Sequence, residues 1–193
     1  MWLALRRRRA ARTRARRPGR MIAAPPATLT PIDKTLDTSG VSAAPSVELL
    51  HDVLLRLAAT QAQTGRAMPA VAAVEFADTH LTLHLGDGCE LGQPWQQAPD
   101  QHHWRLARDV PLDEVGPVDA AMPAPYPQLV SIGTDNRSLW LLNLESVGVL
   151  SLTGEPTRAA DFARYIAAEV AVNPWSRDVA VECVGVAHEI VAR

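Results

Sequence analysis

The chain has 193 residues, of which 47% are hydrophobic and 21% charged. That is one domain's worth of core with room for an arm, and it excludes a collagenous chain, a disulfide scaffold and a multi-span membrane protein. The formal net charge of -2 sums two unlike parts: residues 1–20 carry nine Arg and no acid, leaving 10 basic against 21 acidic side chains in the other 173 residues.

The basic arm opens on Met1-Trp2-Leu3-Ala4-Leu5 and runs straight into Arg6, Arg7, Arg8 and Arg9, followed by Arg12, Arg14, Arg16, Arg17 and Arg20. A secretory signal has the opposite order, with charge first. An apolar stretch followed by dense Arg is how a membrane span exits on the cytoplasmic side. The expectation is a chain whose Met1 lies near the end of a span encoded upstream, with the arm against anionic lipid on the cytoplasmic face of the membrane. A transit peptide shares the lack of acids but not the scarcity of Ser. A disordered arm that contacts nucleic-acid phosphates is a further reading. The sequence itself contains no apolar run of transmembrane length. The 18 Arg to one Lys, Lys34, fit a GC-rich coding bias.

Residues 21–45, with Pro25, Pro26, Pro31 and Pro45, read as an extended linker. From 46 to 193 the chain reads as one domain of α/β or α+β class. Its first part, 46–110, is a helix and a hairpin. Ser46 is a candidate N-cap for a helix to about Gln63, with Val47, Leu50, Leu54, Leu57 and Ala58 on one stripe. Gly65 is placed to end it. The stripe faces a core or, less simply, a partner. Val71–Phe76 and Leu81–Leu85 alternate as half-buried strands of a hairpin, with His80 and His84 on the solvent side.

Seven prolines from Pro94 to Pro127 mark an irregular middle, with Trp104-Arg105-Leu106 a short strand. Pro123–Pro127 reads as a stiff connector covering a sheet edge, or as a polyproline ligand. His102-His103 reads as a solvated loop, because adjacent side chains diverge and do not share a metal. Cys89 and Cys183 read as reduced packing residues. Nothing in the sequence calls for a metal or a cofactor.

The block 129–186 predicts strands at Leu129–Gly133, Leu139–Leu144 and Val147–Thr153, a helix over Thr157–Val172, and a buried strand at Val179–Gly185. Phe162, Ala163, Ile166, Ala167 and Val170 form the helix's stripe, and Asn173-Pro174 stops it. Strand, helix, strand implies a right-handed parallel crossover, hence a mixed sheet. A buried strand, a glycine turn and a helix are also the setting of a phosphate loop. With Gly154 as its first glycine, the second glycine falls on Ala159, the lysine on Ala160 and the hydroxyl on Asp161. Glu155 and Asp161 place negative charge where phosphate should sit, and Pro156 removes an amide. Nucleotide hydrolysis is therefore not expected, and nucleotide binding without hydrolysis is a minor reading. No other catalytic motif occurs.

Three stretches carry a resemblance. They are the apolar-to-Arg start with Arg17-Pro18-Gly19-Arg20, the runs Ala124–Gly133 and Asn143–Pro156 taken together, and the closing Ala168–Ser176 with its Asn173-Pro174-Trp175-Ser176. Together they resemble the central region of large actinobacterial membrane proteins that combine LysM-type modules with a bacterial transcriptional activator domain. There the region follows the membrane spans on the cytoplasmic side. More distantly, the block resembles the core of FtsK-like translocation ATPases with its phosphate loop erased. The resemblance implies a non-catalytic juxtamembrane domain of a regulatory or scaffolding protein, and a chain that is the middle of a larger one. It carries over no functional residue.

Overall fold

Helix α1 spans Thr30–Gln63. A computed structural model describes residues 30–119, 121–135 and 138–186, with side chains from Val47 onward. The second half of α1 buries Leu50, Val53, Leu54, Leu57 and Ala58, the stripe that three- and four-residue spacing predicts. Each large side chain so buried contributes about 2 kcal/mol. Gly65 ends the helix at φ 66°, and the Arg66 amide closes back on the Gln61 carbonyl at 2.9 Å. That left-handed cap favours glycine.

The helix begins well before Ser46, so Ser46 is not its N-cap and residues 30–45 are not the expected extended linker. Two effects permit this. Pro31 falls in the first turn, where a missing N–H costs nothing. The packed turns after Val47 supply the costly nucleus, and propagation from it gains one hydrogen bond per residue. The interior Pro45 forfeits one such bond.

Six strands form one sheet: β1 Val71–Phe76, β2 His80–Leu85, β3 Gln96–Gln97, β4 His103–Ala107, β5 Leu129–Asp135 and β6 Ser138–Asn143. Their order is β3-β4-β2-β1-β6-β5, and every neighbouring pair is antiparallel. The predicted hairpin is β1–β2, closed by the Ala77 amide on the His80 carbonyl at 2.9 Å. One sheet face, with Val74, Phe76, Leu81, Leu83, Trp104, Leu106 and Leu141, packs with α1 into the core. The stripe of α1 is thus a core face and not a partner face. A short helix α2, Leu112–Val115, leans on α1. Gly116 sits so close that an added Cβ would lie 2.6 Å from the Arg56 carbonyl oxygen. The Pro-rich connector is anchored by Tyr126, whose buried hydroxyl donates to the Pro69 carbonyl at 2.7 Å.

The fold is therefore mixed α and β with an open antiparallel sheet, and the expected mixed sheet with its parallel crossover is overturned. After β6 the chain turns into α3, Leu144–Val147, with the Asn143 side chain capping the Glu145 amide and Gly148 at φ 68° ending the turn. This removes Val147 from any strand. Residues 148–155 then run without regular structure, and so do 179–186, where the last strand was expected. Helix α4 spans Pro156–Val172.

The reason that the sheet stops at β5 is visible along its outer edge. The Ser131 amide donates to Glu169 Oε1 at 3.1 Å. Asn173 Nδ2 and Trp175 Nε1 both donate to the Leu129 carbonyl, at 3.3 and 2.8 Å, and Ser176 Oγ to the Pro127 carbonyl at 2.6 Å. Side chains of α4 and its exit thus occupy the groups that a seventh strand would need.

Candidate functional site

The region read as an erased phosphate loop lies at the start of α4. Glu155 is the N-cap, and its carboxylate accepts from the Thr157 and Arg158 amides, each at 2.9 Å. Those amides are the donors that a helix start offers to a phosphate. The protein's own carboxylate fills them, and the two bonds hold Glu155 below the usual glutamate range. Pro156 brings no amide to the first turn. Ala159 and Ala160 lie within the helix, and Asp161 is paired with Arg164 at 2.8 Å. Gly154 is exposed with φ 118°. No strand leads into the turn, so the strand–turn–helix frame of a phosphate loop is missing among the described residues.

Beside this helix is an apolar groove of about 410 Å³. Ala163, Ile166 and Ala167 of α4 form one wall, with Leu150 and Leu152 on one flank and Val179 and Val181 on another. Within α4 only Glu169 and Val170 are buried. The helix therefore leaves much of its apolar stripe half-exposed, although its spacing is that of a core helix. Gln128 and Glu182 are the polar side chains at the groove.

A second cluster lies on the sheet face opposite α1. Cross-strand register brings Glu75 opposite Thr82 and Trp140, and His84 opposite His103. The His84 ring meets His103 edge-on at 4.4 Å and Trp140 at 5.0 Å. His84 therefore does not stand free in solvent as its place in the pattern predicts, and His103 belongs to a strand and not to a loop. His103 Nδ1 hydrogen-bonds Asp100. Burial lowers the His84 pKa first and the neighbouring His103 charge second, against the pull of Glu75 and Asp100. The Thr82 hydroxyl and His84 Nε2 are buried without a hydrogen-bond partner. Among the described residues no group of His, Cys, Asp and Glu is placed to hold a metal.

A third cluster joins α4 to β5. Ser131 Oγ contacts the Tyr165 hydroxyl and donates to Glu169 at 2.9 Å. Glu169 is buried. Burial, with the Glu169 charge beside it, pushes Tyr165 up to about 12. A Ser beside a carboxylate resembles a nucleophile beside a base, but here the carboxylate also binds the Ser131 backbone, which makes the group a clamp. The signal for it was the four-residue spacing of Tyr165 and Glu169, which puts both on one helix face.

The arm residues Arg6, Arg7, Arg8, Arg9, Arg12, Arg14, Arg16, Arg17 and Arg20 lie outside the described residues. Among those described, no helix is long and apolar enough to cross a membrane. Both cysteines are free and half-buried. No protein-family model matches the chain, and neither a curated protein nor a solved structure is found similar to it.

Proposed function

We propose that the chain is a non-catalytic juxtamembrane domain of a membrane-anchored regulatory or scaffolding protein, held at the cytoplasmic face by residues 1–20. The observation that carries this reading is the order of the arm. Five apolar residues precede nine Arg without one acid, while the remaining 173 residues carry 10 basic and 21 acidic groups. Near an anionic surface each basic residue contributes about 1 kcal/mol, less as salt rises. The acidic body is repelled by the same surface, so attraction is confined to the arm. The resemblance to the cytoplasmic region of the LysM and activator-domain membrane proteins agrees with this placement. The Glu155 carboxylate on the amides at the start of α4 weighs against nucleotide binding there and against the distant FtsK-like reading.

Vesicle flotation tests the proposal. The full chain is expected to float with phosphatidylserine-containing vesicles and not with neutral ones. Deletion of residues 1–20, or high salt, should abolish flotation. Failure to float with either vesicle would count against the reading. A salt-dependent DNA shift lost with residues 1–20, in a chain that ignores vesicles, would transfer the arm to nucleic acid.

A further inference from the structure

The two histidines opposite α1 tie a hairpin loop to the sheet. His84 of β2 meets His103 of β4 edge-on at 4.4 Å. Glu75 of β1 stands 3.9 Å from His84 Nε2, and the Trp140 ring of β6 lies at 5.0 Å. Arg105 of β4 is exposed on the same face, across from Thr82. His103 is bonded in turn to Asp100, in the loop over residues 98–102 that joins β3 to β4. A carboxylate only accepts, so His103 Nδ1 donates to it.

Protons change the balance of charge in this cluster. With both rings neutral, Arg105 faces the two carboxylates of Glu75 and Asp100. With both rings protonated, three cations face the same two carboxylates, and two of the cations are rings in contact, where like charges repel. His84 is the less able to yield. Its side chain is 24% exposed and its Nε2 is buried without a hydrogen-bond partner. Burial opposes its proton first and the His103 charge second, while Glu75 and Asp100 favour it. The other side of the contact is freer, since His103 is 35% and Asp100 49% exposed.

The loop is also built to let go. Successive strand side chains point to opposite faces, so His103 can turn outward while Trp104 and Leu106 stay buried in the core. Gln101 sits at φ 62°, a left-handed conformation that strains a residue other than glycine. Strand β3 beyond the loop is only Gln96–Gln97. Asp100 holds the loop through His103 and through the His102 amide at 3.1 Å. Two further bonds cross its ends, from the Leu85 amide to the His102 carbonyl at 2.9 Å and from the Ala98 amide to the His103 carbonyl at 2.8 Å.

We propose that His84 and His103 form a proton-operated latch on the β3–β4 loop. When both rings are charged, His103 leaves the face, and the loop opens with Asp100 while the sheet stays folded. When either ring is neutral, the loop is closed. The inference does not rest on the membrane reading, and it assigns the acid response to one loop of the fold.

Amide exchange of the full chain at about pH 7 and about pH 5, corrected for the free-chain rate at each pH, tests it. Two groups titrate as a pair once they alter each other's proton affinity by about tenfold, so protection of the Leu85 and Ala98 amides should fall by about tenfold at the lower pH. Amides in the β1–β6 pairing should keep theirs. His84→Gln and His103→Gln each leave one ring to charge, and in either variant the two reporter amides should stay protected at the lower pH. Equal protection at both pH values overturns the proposal. So does a loss shared equally by the β1–β6 amides, which is general loosening, or a loss that both variants retain. If a variant fails to fold, the contrast between loop and β1–β6 amides in the wild-type chain decides alone.

Discussion

Glu169 holds the outer edge of the sheet from inside a helix. Its buried carboxylate serves the Ser131 amide and the Ser131 hydroxyl, with Tyr165 beside them. Glu169→Ala leaves these donors in a covered site, where an unpaired polar group costs roughly 1–3 kcal/mol. The expected loss is about 3 kcal/mol of unfolding free energy, measured by urea titration, and Ser131→Ala should cost less because the amide keeps its acceptor. His84 acts through its proton. Its folded pKa lies below the unfolded value of about 6.5, so between the two the unfolded chain binds more protons and stability rises with pH. The contribution is complete above about pH 6.5 and is lost as pH falls through that window. His84→Gln should remove this part of the decline, read as a flatter dependence of melting temperature between about pH 7 and pH 5. A variant that keeps the full slope would place it in other groups.

At the scale of elements, agreement between local pattern and partner decides the outcome. The α1 stripe, the β1–β2 hairpin, β4, β5, β6 and α4 were all legible, because alternation or helical spacing in each matches what covers it. Val147–Thr153 and Val179–Gly185 have the same strand chemistry and form none. Strand preference measures fit to neighbours, and the neighbour they needed, the free edge of β5, is taken by Glu169, Asn173 and Trp175. The Asn173-Pro174-Trp175-Ser176 block, one of the stretches that carry the resemblance, is part of that edge seal. Proline was misleading in the other direction, since the predicted linker over 21–45 is helix from Thr30 onward, its residues 21–29 lying outside the described residues. Between α1 and α2 the spacing is set by Gly116, which no sequence pattern marks. Gly116→Ala brings a Cβ to 2.6 Å from the Arg56 carbonyl oxygen. Overpacking of this kind costs about 2 kcal/mol, and a fall in melting temperature with unchanged helical circular dichroism would register it.

At the scale of the whole molecule, charge and shape divide the labour. A basic arm and an acidic body give opposite responses to one anionic surface, so the flotation experiment reads the arm alone. The polar cluster around His84 and Trp140 lies on one sheet face, and the α1 core packs on the other. The apolar groove is set apart from both.

By itself the sequence determined the charge split, the mismatch of residues 154–161 to a phosphate-loop motif and the identity of the core stripe. These follow from composition, from residue type at fixed spacing and from helical periodicity, all of which are local. The tertiary structure alone decided that the sheet is antiparallel, that it ends at β5 and that His84 packs into a cluster. Each of these depends on which groups meet across long stretches of chain. A hydrogen-bonding edge accepts one partner only. Once the side chains following β5 had taken it, two good strand sequences were left without a sheet.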